Sequence, residues 1–301
     1  MIEINGVSKK FNDIVALSEV SFQISEDGIF GLIGTNGSGK STLLRIMSGV
    51  IEADTGELTI DGEGVYGNEM TKEKFFFIAD EPYVFANATP KDMELFYSNV
   101  YKEFDSEKFY KYLEWLELSP KRKINTFSKG MKKQLALAIG VSANTKYLLC
   151  DETFDGLDPV MRKGAKAIFA SEMESRGLVP IIASHNLREL EDICDHIALL
   201  HRGGVLLSKD MGEVKDNIQK VQCVFENVDD MDVIRDKFDV IKCESQGKMV
   251  TITLRGSREE ISEEFNKLNM VFYEILPLSL EEIFIRETEV VGYDVQKLIF
   301  G

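Results

Sequence analysis

Long hydrophobic runs are missing from this 301-residue chain. Nowhere do 18 or more apolar residues follow one another, so the chain is not expected to span a membrane by itself. The opening stretch MIEINGVSKKF has no apolar segment of the length a secretory signal needs. Cysteine is scarce: Cys150, Cys194, Cys223 and Cys243 lie far apart with no C-x-x-C pair, which argues against zinc or dithiol chemistry and suits a reducing compartment. Positive charge is in deficit, with 35 Lys and Arg against 51 Asp and Glu for a net charge of −16, so nucleic-acid phosphate is not expected as the main partner. Proline is held to 6 residues, and the 44% hydrophobic and 29% charged fractions are those of a chain that buries a core, not of a disordered or collagen-like one.

What is present is an alternation. Apolar, β-branched runs at 28–33, 147–150, 179–183 and 197–200 are separated by helical patterns, which predicts a mostly parallel sheet wrapped by helices. The stretch 90–118 reads instead as consecutive helices dense in aromatics, so a helical subdomain covering about 83–145 is expected inside an α/β domain of residues 1–215. Residues 216–301 carry 10 basic and 18 acidic side chains, a denser negative charge than the rest. Their pattern predicts strand, helix, two strands, helix, strand and a last helix from Ser279, the order of a split βαβ unit and hence a small C-terminal α+β domain. It carries no recognisable catalytic constellation; a stabilising or dimerising module and a regulatory one both remain open.

Three stretches carry chemistry. Residues 34–41 read GTNGSGKS, a match to G-x-x-x-x-G-K-S/T between an apolar strand and a helical run at 42–48, as a P-loop NTPase requires. The glycines let the N–H groups of Gly34, Thr35, Asn36, Gly37, Ser38, Gly39 and the residues through Thr42 converge on phosphate oxygens at a helix N-terminus. Lys40 then reaches the β and γ phosphates, and the Ser41 hydroxyl ligates Mg2+. Residues 147–152 read YLLCDE, an apolar strand ending in two acids. Consecutive strand side chains point opposite ways, so Asp151 is expected to hold Mg2+ and Glu152 to polarise the attacking water. Two such acids in isolation fit a plain strand end as well as a catalytic pair; beside the glycine loop they become catalytic candidates. The third stretch, FSKGMKKQ at 127–134, is a polar turn before an expected helix over 132–143, a second place where backbone donors face outward.

At this point the chain resembles the nucleotide-binding subunit of ABC transporters, whose signature turn is usually LSGGQ. Ser128 and Gly130 match, whereas Phe127, Lys129 and Met131 replace Leu, Gly and Gln. The form S-K-G-M looks like the branch serving antibiotic, bacteriocin and multidrug exporters, and PLSLEEIF at 277–284 is similar to closing segments of exporter subunits. The resemblance implies a homodimer, or a heterodimer with a similar subunit, in which ATP and Mg2+ are held by Gly34 to Thr42 of one chain. Ser128, Lys129, Gly130 and Met131 would reach the nucleotide from the other chain. Gly156, Leu157 and Asp158 would form the D-loop at the seam, and Asp158 would bind in trans. His185, after Ser184, matches the switch histidine at the γ-phosphate, and Phe11 sits where the family stacks an aromatic on adenine. The Q-loop glutamine is replaced by Asp80, a candidate Mg2+ ligand, with Glu81 as its rival. The implied activity is ATP hydrolysis powering export through a separately encoded integral-membrane subunit. The implied location is cytoplasmic, peripheral on the inner face of the membrane, with the aromatic helices offering a groove for a short helix of that partner.

Two other functions stay open at this point. One is a soluble ATPase of the same superfamily acting on DNA or ribosomes, disfavoured by the single cassette, the short spacing between Lys40 and Phe127 and the acidic charge. The other is a non-hydrolysing nucleotide-dependent regulator, suggested by Lys129, Met131 and Asp80 but opposed by Glu152 and His185.

Overall fold

The computed structural model describes residues 1–284 apart from Gly156, 213–217, 226–229, Asn269 and Pro277. The chain divides into two compact units, Met1–Ser208 and Lys209–Gly301.

In the first unit, β1 (Ile2–Phe11), β2 (Ile14–Ile24), β4 (Thr55–Ile60) and β5 (Glu63–Gly64) form an antiparallel sheet in the order β2-β1-β4-β5. The sequence pattern does not single out the first of these strands, for a physical reason. In β1 the buried positions run Ile2, Ile4, Val7, because the register shifts between Ile4 and Val7 and breaks the two-residue alternation.

The second sheet runs β10-β9-β3-β8-β7-β6, and its pairings from β9 to β6 are parallel. It contains the four strands expected from sequence, observed as β3 (Phe30–Ile33), β7 (Tyr147–Asp151), β8 (Val179–Ser184) and β9 (His196–His201), together with β6 (Phe75–Ile78) and β10 (Gly204–Asp210). β3 starts two residues later than expected, because Gly28 lies at φ 109 in the preceding turn, where a Cβ would meet Asp195 at 2.8 Å. Every residue of β3, β7 and β8 is buried, which explains their uninterrupted apolar runs.

The first-unit helices are α1 (Lys40–Met47), α2 (Glu69–Lys72), α3 (Pro90–Val100), α4 (Ser106–Trp115), α5 (Lys129–Ser142), α6 (Pro159–Arg176) and α7 (Leu187–Glu191). Their starts follow capping chemistry: Thr89 and Asp92 close a capping box ahead of Pro90, Asp105 caps α4 and Ser128 caps α5. The last of these corrects a boundary. Because the Ser128 hydroxyl accepts from Met131 N at 3.2 Å, the helix begins at Lys129 rather than Lys132, and Lys129, Gly130 and Met131 are its first turn, not a loop before it.

The second unit is an antiparallel sheet in the order β12-β13-β11-β14, built from β11 (Ile218–Phe225), β12 (Val240–Gln246), β13 (Met249–Arg255) and β14 (Met270–Leu276). Helices Asp230–Lys237 and Arg258–Phe265 follow β11 and β13, giving the split βαβ order expected from sequence. Its core joins Val221, Cys223, Ile252 and Leu254 of the strands to Ile234, Ile261 and Phe265 of the helices. The four cysteines are free thiols, and no described helix is long and apolar enough to cross a membrane.

Candidate nucleotide site

The order β3-β8-β7 brings three strand ends side by side: Ile33 is in register with Ser184, and Asp151 with Ala183. The segments leaving those ends are the glycine loop, His185 and Glu152, so the site lies beyond the carboxyl ends of a parallel sheet.

The loop is shaped by contacts that only glycine allows. A Cβ on Gly34 would lie 2.3 Å from Ser38 Oγ and 2.4 Å from the Leu200 carbonyl, and one on Gly39, at φ 107, would lie 2.6 Å from the Ala16 carbonyl. The loop folds back on the Lys40 ammonium, which donates to the carbonyls of Gly34 at 2.7 Å and Thr35 at 3.2 Å. Lys40 is 5% exposed, and burial pulls its ammonium below the usual lysine range although Glu152 and Asp151 oppose the shift. Ser38 Oγ is buried without a hydrogen-bond partner among the described residues, and it sits inside the loop.

The two acids at the carboxyl end of β7, Asp151 within it and Glu152 just after it, separate as the alternation argument requires, although the mechanism is a turn and not the pleat alone. Asp151 closes the strand and accepts from Ser41 Oγ at 3.0 Å. Burial raises its carboxyl above the ordinary range, and the Ser41 hydroxyl opposes that shift. A hydroxyl and a carboxylate oxygen in contact, with the carboxylate short of compensating charge, are hard donors that fit Mg2+. Glu152 takes φ 48, which turns its carboxylate to the other side: Oε1 lies 3.6 Å from Lys40 Nζ, and Oε2 is 2.8 Å from His185 Nδ1. Lys40, Ser41, Asp151, Glu152 and His185 thus form one cluster.

The remaining expected residues fall in three groups. Phe11 lies on the rim of a cleft of about 430 Å³ whose floor is Gly37 to Thr42; at 43% exposed it is not a core residue. Asp80 and Glu152 line the same cleft, but Asp80 is already held by Lys133 Nζ at 3.0 Å, so its carboxylate is not a free metal ligand as it stands. Glu81 faces a different concavity. Ser128, Lys129, Gly130 and Met131 are not among the residues lining the cleft, and Lys129 pairs with Asp155 at 3.1 Å. Asp158 caps α6 by accepting from Val160 N and Met161 N, both at 2.9 Å. Gly156 lies outside the described residues.

Sequence reasoning missed Lys133. It looks like the second half of a basic pair on a helix, yet its side chain is 1% exposed and its ammonium reaches both Asp80 and the Glu152 carbonyl. The available signal was its place on α5, one turn after Lys129 on the same helical face.

A second concavity of about 180 Å³ lies beside β6, lined by Phe76 and Ile78, by Pro82 and Tyr97, and by Leu135 and Ile139 of α5. Tyr97 and Tyr101 pack on Phe76 at 5.3 Å between ring centroids, so part of the aromatic richness of this stretch is packing.

Comparisons with known proteins agree with this geometry. A family model described as ABC transporter matches residues 17–155. The ABC transporter ATP-binding protein YtrB of Bacillus subtilis (strain 168) is 29% identical over 285 residues, covering 95% of this chain and 97% of that protein. The methionine import ATP-binding protein MetN 1 of Staphylococcus aureus (strain USA300) is 31% identical over 233 residues, covering 72% and 67%. Among solved structures, the dimeric post-hydrolysis state of the ATP-binding cassette MJ0796 bound to ADP and Pi superposes with a TM-score of 0.63 at 22% identity, over 70% of this chain and 99% of that one, which shows a shared fold. The chain therefore belongs to the ATP-binding subunits of ABC transporters, ATPases that couple ATP hydrolysis to transport.

Proposed function

We propose that this chain is the cytoplasmic, membrane-peripheral ATPase of an exporter, working as a dimer on a separately encoded integral-membrane subunit. The observation that carries the reading is the cluster of Lys40, Glu152 and His185 over the loop, beside the Ser41–Asp151 pair.

ATP would lie along the cleft with its adenine against Phe11 and its phosphates on the N–H groups of residues 34–42. Lys40, already stripped of water, would exchange its loop carbonyls for β- and γ-phosphate oxygens, a stronger charge-assisted interaction. Ser41 and Asp151 would hold Mg2+, which when bound supplies charge neutralisation on the β and γ oxygens. Asp80 is left by its lysine contact in a supporting position. Glu152 accepts the proton of the water that attacks the γ-phosphorus as the bond to the ADP oxygen breaks. His185 holds the other face of that carboxylate and contacts the γ-phosphate. The first turn of α5, with Ser128, Lys129, Gly130 and Met131, would complete the site from the partner copy together with the Asp158 segment. The concavity beside β6 fits a short amphipathic helix of the membrane subunit. Export is the direction that the S-K-G-M form of the signature supports, and residues 216–301 are read as an accessory domain.

Size-exclusion chromatography of Glu152→Gln with and without Mg-ATP tests the reading. Blocking proton transfer while preserving the loop is expected to accumulate an ATP-dependent dimer; a variant that stays monomeric with saturating nucleotide contradicts it.

A further inference from the structure

Lys133 lies on α5, yet both groups it holds belong to the cleft. Its ammonium donates to Asp80 Oδ1 at 3.0 Å and to the Glu152 carbonyl, and lies 3.9 Å from Asp155 Oδ2. An ammonium sealed from water is tolerated only when its donors are answered, so these contacts are a condition of its burial. The carbonyl it grips belongs to a residue at φ 48. For a glutamate this left-handed conformation is unfavourable and persists only where neighbours enforce it. Glu152 N is fixed by the Ala183 carbonyl at 2.9 Å, and Lys133 fixes the other end of the residue. Relaxing the peptide toward strand geometry would swing the carboxylate away from Lys40 and His185.

We propose that Lys133 is a positioning residue for hydrolysis: it ties the Glu152 main chain to Asp80, so that the Glu152 carboxylate stays aimed between Lys40 and His185. Asp80 then acts through this clamp, which gives a reason for an aspartate where a neutral glutamine would leave the buried ammonium with the more distant Asp155 carboxylate, 3.9 Å away, as its counter-charge. The inference rests on Glu152 being the group that takes the proton from water.

The test is steady-state ATP turnover, ATP affinity and amide hydrogen exchange across residues 151–155 in the parent, Lys133→Met, Lys133→Arg, Asp80→Asn and the double variant Lys133→Met/Asp80→Asn. Lys133→Met is expected to lower kcat about tenfold or more while KM moves less than about threefold, with faster exchange at 151–155 and partial recovery in Lys133→Arg. Asp80→Asn is expected to lower kcat about threefold alone and to add nothing in the Lys133→Met background, because the two act as one unit. Turnover within about twofold of the parent in Lys133→Met, or equal losses from Asp80→Asn in both backgrounds, overturns the clamp. If Lys133→Met does not fold, the half-exposed Asp80→Asn decides alone: slower turnover with faster exchange supports the clamp, and no change in either overturns it. Glu152→Gln with parental turnover would instead remove the assignment of Glu152, which keeps the two failures apart.

Discussion

The two compact units treat buried charge in opposite ways. In Met1–Ser208 the buried polar set includes Lys40, Lys133, Asp151, Glu172 and Glu189, whereas in Lys209–Gly301 the buried polar residue among those described is Gln219, beside an apolar core. Within the first unit a second contrast appears. Glu172 is answered by Lys108 at 2.9 Å, by Tyr112 at 3.0 Å and by Arg176, which together hold its carboxyl below the ordinary range despite burial. Asp151 has one hydroxyl, and Lys40 has two carbonyls and a carboxylate 3.6 Å away. Saturated charges mark architecture; charges left short of partners mark where a ligand completes the set.

Substitutions in each class sharpen the contrast. Phe265→Ala, in the apolar core of the second unit, is expected to cost about 4 kcal/mol of that unit's stability, read as an earlier unfolding transition, with ATP turnover at 25 °C unchanged. Glu172→Gln should cost about 3 kcal/mol at pH 7, because Lys108 and Arg176 lose their charge partner. The sign of its pH dependence follows from the lowered carboxyl: its contribution is present above the unfolded value near 4.5 and is lost as pH falls through the folded one, so parent and variant melting curves should converge on acidification. Lys40→Met should weaken ATP binding by about 2 kcal/mol in equilibrium titration while leaving the nucleotide-free protein no less stable, since a dehydrated ammonium is removed; a loss of stability would place Lys40 with Glu172. Asp158→Ala, which deletes the cap of α6, should cost about 1 kcal/mol by thermal melting.

Local features were legible in the sequence and distant ones were not. The loop 34–41 is recognisable because its chemistry needs consecutive residues, and Asp151–Glu152 because an apolar strand must end where its acids begin. The second unit was legible because β11 and β13 keep the two-residue alternation, burying Val221 and Cys223 and Ile252 and Leu254, with the Ser257–Glu260 capping box marking a helix start. Lys133 was invisible because its partner Asp80 is 53 positions away and its burial depends on β6 and β7 meeting α5. The first strand of the antiparallel sheet escaped because the shift at Gly6 disrupts the alternation that reveals a strand. The start of α5 was displaced because Ser128 caps it in place of the later polar residues.

Phosphate release from Mg-ATP by the parent and by Glu152→Gln, measured with ATP binding in the same samples, bears most directly on the central claim that Glu152 is the proton acceptor over a triphosphate held by the loop. The account predicts turnover falling about 100-fold or more while ATP affinity stays near the parental value. Turnover in the variant within a few-fold of the parent, at equal ATP occupancy, would contradict it.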